Sequence, residues 1–284
     1  MALHRQRRVF DAELSLVAEI NGQIVGHVLF SPHQMRLLNQ TIPVVNLAPI
    51  AVDPAYQSKG IGGQLISEGH RIAAAKGYRM SVLLGHPTYY PRFGYHTHAY
   101  GVGKLAISSD VLNTLHEGLL ETRGPIAEDV PSLCDLWQRE EGAVDMVFEP
   151  DRDLLDWLSP NPAIQADVYL RNNEVVGYTR IDRGEPTKPR AFFAQDDEAA
   201  QAMVVTMNHT WSNGSKGTAY ILPLHPYSAS AQAFGSASAT CESWSPGMAC
   251  ALGPGPLDDY LGQVQAGQRS PGRIIWPVAF DLDS

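Results

Sequence analysis

Long apolar runs are missing from this sequence. Nothing in its 284 residues approaches the ~20 consecutive apolar residues that a membrane-spanning helix needs. The N-terminal stretch MALHRQRRVFDAELSL carries basic residues with no apolar segment behind them, which is not the pattern of a secretory signal. Cysteine is scarce: Cys134, Cys241 and Cys250 are odd in number, and no pair has C-x-x-C spacing. That argues against a disulfide framework or a zinc site and fits free thiols in a reducing, cytoplasmic compartment. Positive charge is in deficit, with 21 Lys and Arg against 30 Asp and Glu for a formal net charge of -9. A nucleic-acid partner usually requires a basic face, so none is expected, and neither is a membrane partner. Histidine is plentiful, yet no H-x-x-x-H pair falls on a predicted helix. No carboxylates cluster beside His96-Thr-His98, so no metal is expected.

What is present describes a globular protein. Hydrophobic residues make up 44% and charged residues 18%, enough for a sizeable core in one large domain or two ordinary ones. The stretch LSLVAEINGQIVGHVLFSP reads as a hairpin, because Asn21-Gly22 tolerates positive φ at both turn positions. A strand follows over 43–52, then a glycine-rich turn and a helix over 62–76. Leu65, Ile66, Ile72 and Ala73 recur there at helical spacing, and Gly77 marks the stop. YRMSVLLG has the continuous apolar character of a strand buried on both faces. HPTYYPRFGY reads as a short helix or turn, and HAYGVGKLAIS as a further strand.

From about residue 121 the order restarts. IAEDVPSLCDLWQRE reads as a capped helix with Val130, Leu133, Leu136 and Trp137 on one face, and PDRDLLDWL as a second helix. The hairpin ADVYLRNNEVVGYTRI, the strand RAFFAQ, the helix DEAAQAMVVTMNHTW and the strand GTAYILPL follow. The Ser-, Ala-, Gly- and Pro-rich stretch 228–256 takes no assignment, and a closing strand is expected around 274–280. Both halves thus run hairpin, strand, helix, strand. The expectation is a duplicated α/β fold (α+β), with domains over 1–120 and 121–284.

The stretch VDPAYQSKGIGGQLI carries the chemistry. A helix N-terminus offers unpaired N–H groups and the positive end of its dipole, and glycines let a ligand approach the backbone. Two nucleotide motifs fail here. A P-loop places its Lys after the glycines, whereas Lys59 precedes them, and the third position of a G-x-G-x-x-G fingerprint is Leu65. What fits is Gln57-Ser58-Lys59-Gly60-Ile61-Gly62 after Ala51-Val52-Asp53-Pro54. This resembles the Q/R-x-x-G-x-G/A signature of the GNAT superfamily of N-acetyltransferases. A second block, Leu84-Gly85-His86-Pro87-Thr88-Tyr89-Tyr90-Pro91-Arg92-Phe93-Gly94-Tyr95, resembles the LGDPAYYxRFGF segment of one subgroup. The resemblance covers residues 14 to about 107.

The resemblance implies tandem GNAT-like mixed sheets flanked by helices, and an acetyl-CoA-dependent transfer of an acetyl group to a primary amine by direct attack in a ternary complex. The backbone of Ile50, Ala51 and Val52 would hold the pantetheine arm. Gln57, Ser58, Lys59, Gly60, Ile61, Gly62 and Gly63 would surround the pyrophosphate, and an N–H near Ala51 would face the oxyanion. Tyr90 aligns with the proton donor to the thiolate, with Tyr89 and Tyr95 as competitors. Asn46 stands where many members have a basic Glu, and His86 where the subgroup has Asp, which makes His86 or a water chain the route for the amine's proton.

The family also begins with a strand and two helices ahead of the hairpin, which starts here at about residue 13. The first copy is therefore expected to lack them. Either the chain is truncated at its start, or the second half, a partner chain such as a homodimer's, or the closing strand covers the acceptor side. Residues 121–284 show no Q/R-x-x-G-x-G, and acidic residues open their helix, so they resemble a degenerate copy without cofactor. The acceptor is expected to be a small-molecule or peptide amine. An alternative from another class is a non-catalytic acyl-CoA-binding sensor or protein-interaction module.

Overall fold

The computed structural model describes residues 5, 8–115, 118–159, 161–212, 214 and 217–274. In chain order the elements begin β1 (Ser15–Ile20), β2 (Gln23–Leu37), β3 (Gln40–Val52), α1 (Ile61–Ala75), β4 (Met80–Leu84), β5 (Tyr100–Ile107) and α2 (Ser109–Thr114). They continue β6 (Glu121–Arg123), α3 (Val130–Glu141), β7 (Val147–Glu149), β8 (Ile164–Arg171), β9 (Glu174–Asp182), β10 (Ala191–Ala194) and α4 (Asp197–Ser212). The last are β11 (Tyr220–Leu222), β12 (Thr240–Ser243), β13 (Gly247–Ala251), α5 (Leu257–Gln265) and β14 (Gly272–Arg273). The chain packs as two compact units that interleave in sequence, the first running through Gly101 and resuming over Ser243–Gly272, the second built on Val102–Glu242. Packing therefore draws the division differently from a single break near residue 120.

In the first unit, Asn21 and Gly22 take φ of 52° and 81°, as the β1–β2 turn requires. Leu38 and Asn39 make a second two-residue turn at φ 47° and 61°. This extends β2 and β3 into a long antiparallel ribbon through residues that the sequence pattern left unassigned. Strand order is β1-β2-β3-β4-β13. β3 and β4 pair in parallel only from Val44–Met80 to Asn46–Val82, and β3 then runs on to Val52 without β4 beside it.

On its other side β4 is paired antiparallel by β13, Gly247 opposite Leu84 and Ala251 opposite Met80. The sequence GMACA carries little strand propensity of its own. It becomes a strand because β4 offers it an open edge, which is why the pattern of residues 228–256 did not reveal it. The closing strand expected around 274–280 lies, apart from Ile274, outside the described residues.

α1 buries Ile61, Leu65, Ile66, Gly69 and Ala73 against this sheet. Gly69 sits so close to the sheet that a Cβ there would lie 1.9 Å from Cε2 of Phe30, itself fully buried. The contact fixes the height of the helix, and with it the position of its N-terminus.

The second unit has strand order β10-β9-β8-β6, all antiparallel, with Asn172 and Asn173 at positive φ in the β8–β9 turn. α3 buries Val130, Leu133, Leu136 and Trp137, the face that its apolar spacing marks out. PDRDLLDWL, expected as a helix, is only a 3₁₀ turn over Leu154–Asp156. The Asp156 carboxylate accepts from the Asp151 N–H at 2.8 Å, closing a loop where a helix would have continued. The order hairpin, strand, helix, strand is nonetheless present in both units, and the architecture is mixed α/β with several sheets flanked by helices.

Gly69→Ala is expected to force α1 off Phe30. Chemical denaturation should show a loss of about 1–3 kcal/mol, the usual cost of overpacking a core.

Candidate functional site

The site is built where β3 continues past β4, still paired to β2 on one edge and open on the other. Asp53 ends the strand, its Oδ1 accepting from the Ala55 N–H at 2.8 Å to start a 3₁₀ turn over Pro54–Tyr56. Gln57 Nε2 donates back to the Val52 carbonyl at 3.0 Å, folding the turn against the strand it left. Ser58 and Gly60 then take φ of 61° and 83°. Gly60 is the N-cap of α1, contributes no side-chain cap, and no acidic residue follows in the first turn. The N–H groups at the start of α1 therefore keep both their hydrogen-bonding capacity and the positive end of the helix dipole.

These groups open on a cavity of about 950 Å³. One wall is Ile50, Ala51 and Val52; the floor is Gln57, Ser58 and Gly60 to Gly63; the far wall is His86, Tyr89, Tyr90, Arg92 and Phe93. Gly62 is small for a reason: a Cβ there would lie 2.8 Å from the Tyr89 hydroxyl. Every residue expected from the sequence to line the site does so except Lys59. Its Nζ donates to the Ala55 carbonyl at 3.1 Å and sits 4.7 Å from the centre of the Tyr56 ring, so the turn itself holds the ammonium.

The three tyrosines separate by environment. Tyr95 is buried, and its hydroxyl is tied to Ser81 Oγ at 2.6 Å and His70 Nε2 at 2.9 Å, so it supports the wall without lining the cavity. Tyr90 is half-buried and packs edge-on against both Tyr89 and Tyr95, at ring distances of 5.0 and 5.9 Å. Burial, followed by the neighbouring Tyr89, raises its phenol above the ordinary tyrosine range. It therefore keeps its proton throughout the neutral range, as a donor must. His86 is exposed at the cavity wall. Asn46 is fully buried at the last parallel pair before β3 and β4 separate, and neither its Oδ1 nor its Nδ2 has a hydrogen-bond partner.

Tyr56, Arg92 and Phe93 also line the cavity without having been singled out by the sequence pattern, and Arg92 is the charged one. Its guanidinium lies 4.0 Å from the centre of the Tyr89 ring and 5.2 Å from that of Phe93. A cation between aromatics in YYPRF was the available signal, submerged in a stretch read as a motif. In the second unit the corresponding helix start is filled by the protein's own acids. Asp197 and Glu198 open α4, Arg171 lies 3.8 Å from Asp196 and 3.7 Å from Glu198, and Arg139 lies 3.2 Å from Asp197. Among the described residues no helix is long and apolar enough to cross a membrane, and no cluster of metal-ligating side chains occurs.

A strand with one edge left open, beside an uncapped, glycine-fronted helix, makes a cleft suited to an extended, anionic ligand. Residues 2–98 match the family model described as Acetyltransferase (GNAT) domain. Over 82 residues the chain is 42% identical to the uncharacterized N-acetyltransferase YjhQ of Escherichia coli K12, covering 29% of this chain and 45% of YjhQ. Over 88 residues it is 39% identical to the uncharacterized N-acetyltransferase YhbS of the same strain, covering 31% of this chain and 52% of YhbS. The chain thus spans about half the length of the curated relatives it matches.

In fold, it is similar to the GCN5-related N-acetyltransferase from Anabaena variabilis, with a TM-score of 0.66 at 14% identity over 88% of this chain and 65% of that one. The GCN5-related N-acetyltransferase from Kribbella flavida gives 0.63 at 17% identity, over 84% of this chain and 60% of its own. The likeness in fold therefore extends well past the segment that the family model matches.

Burial holds the His70 imidazole down at a pKa of about 4. In the unfolded chain it titrates near ~6.5, so acid protonates the unfolded state first. Stability should fall as pH drops from about 6.5 towards 4, and His70→Gln should flatten that segment of the curve. Urea midpoints measured across the range check this.

Proposed function

We propose that this chain is an acetyl-CoA-dependent N-acetyltransferase that moves an acetyl group to a primary amine by direct attack. The observation that carries the reading is the uncapped N-terminus of α1 beside the edge of β3 that β4 leaves open, both lining one cavity. The edge of β3 that β4 leaves open at Ile50 and Ala51 would hydrogen-bond the pantetheine arm as a strand would, with Val52 beside it, and the Ser58 to Gly63 amides would hold the diphosphate. Gln57 would act by fastening the turn to Val52, and Lys59, held by Ala55 and Tyr56, would contribute field instead of a direct contact.

In the reaction the amine nitrogen attacks the thioester carbonyl carbon, and an N–H near Ala51 would face the developing oxyanion. The C–S bond then breaks and the thiolate takes the Tyr90 proton, while His86 or water receives the proton lost by the amine. Residues 121–284 would act as a degenerate GNAT-like copy, structural or acceptor-binding. The carboxylates at the start of α4 support this, since they would repel a diphosphate. The acidic net charge of the chain favours a cationic acceptor, a small molecule or a peptide, through long-range steering.

Asn46 favours the rival reading, a non-catalytic acyl-CoA sensor, because an amide stands where the resemblance leads one to look for a base. A thiol-release assay across amines, polyamines, aminoglycosides and peptides separates the two: turnover with any acceptor supports the enzyme, and binding of acetyl-CoA without turnover supports the sensor. Tyr90→Phe should lower kcat about a hundredfold, within the range for loss of a general acid, with KM for acetyl-CoA changed less than twofold. Unchanged turnover at every pH would remove Tyr90 from the acid role.

A further inference from the structure

Arg92 is the only Lys, Arg, Asp or Glu side chain among the described residues that line the cavity. It has no carboxylate partner among the described residues, and the interactions it makes are with the faces of Tyr89 and Phe93. Stacking occupies the flat face of a guanidinium and leaves its N–H edges free to donate in a fork. The ring beneath it reaches the helix: the Tyr89 hydroxyl is the atom that a Cβ on Gly62 would meet. Gly62, Tyr89 and Arg92 thus form one continuous strip from the first turn of α1 to a free, oriented cation. A cavity with a single permanent charge of this kind selects an anion.

The nearby amides can neutralise one anionic group, the diphosphate, so the guanidinium is left for a second group further along the ligand. In coenzyme A that group is the phosphate on the 3′-oxygen of the ribose, beyond the diphosphate from the pantetheine. We propose that Arg92, braced by Tyr89, binds the ribose 3′-phosphate and makes the site discriminate coenzyme A thioesters from their 3′-dephospho forms. The assignment rests on the cofactor reading above and adds to it a specificity-determining residue. Lys59, the other cation of this region, is not among the lining residues, and its ammonium is engaged by the Ala55 carbonyl and the Tyr56 ring.

Calorimetric titration of the chain with acetyl-CoA and with 3′-dephospho-acetyl-CoA tests it. The unaltered protein should bind acetyl-CoA about ten- to a hundredfold more tightly, the range for a charge-assisted hydrogen bond. Arg92→Ala and Arg92→Gln should each lose that margin for acetyl-CoA while binding the dephospho form as before, and Arg92→Lys should recover part of it. Agreement between the Ala and Gln variants guards against a packing effect at Tyr89. Equal weakening of both ligands, or no weakening of either, would overturn the assignment to the 3′-phosphate while leaving the cofactor reading intact. Failure of the unaltered protein to bind either ligand would overturn both.

Discussion

The site depends on the point at which two parallel strands stop being neighbours. β3 and β4 share hydrogen bonds only as far as Asn46 and Val82, and beyond it β3 keeps its extended backbone with that edge unpaired. An unpaired strand edge is ordinarily a hazard, because it invites any other chain to pair with it. Here the edge lines a cavity, walled by the turn after β4 and floored by the start of α1. β13 completes the arrangement by occupying the other side of β4, so that the strand can diverge from β3 without losing its own pairing.

Electrostatics follow from the same geometry. The turn after β3 satisfies its own polar groups through Asp53 and Gln57, yet spends no side chain on the first turn of α1. The depth of that helix is set by Phe30 against Gly69, and the width of the cavity by Tyr89 against Gly62. Buried hydroxyls then hold the aromatic wall rigid. Tyr95 is fixed between Ser81 and His70, and Tyr90 packs on Tyr95. Tyr90 is thus braced on one side and half-exposed to the cavity on the other.

The second unit shows what the same order of elements becomes when the helix start is closed. α4 carries acids in its first turn where α1 carries glycines, and Arg139 and Arg171 neutralise them from within the unit. Carboxylates near a helix N-terminus are favourable for folding. The first unit forgoes that stabilisation, as expected of a functional site, where local rules are broken for binding.

Much of this was legible in the residues, for identifiable physical reasons. Asn21-Gly22 dictated a tight hairpin, the apolar spacing of Leu65, Ile66 and Ala73 dictated the buried face of α1, and Gln57 to Gly63 marked an open helix N-terminus, because each depends on neighbours within a few residues. The short turn over Leu154–Asp156 was misread as a helix, since local apolar spacing does not register a carboxylate that closes a loop.

Other features were decided by tertiary structure alone. Nothing in GMACA announces β13, and nothing in the order of the tyrosines says which hydroxyl is buried and which faces the cavity. The extent of β3–β4 pairing, the turning of Lys59 onto its own loop and the stacking of Arg92 over Tyr89 are likewise decided in three dimensions. Each depends on contacts with groups whose positions the packing sets. Local backbone chemistry fixed where a helix would begin and leave its amides open; long-range packing fixed what those amides would face.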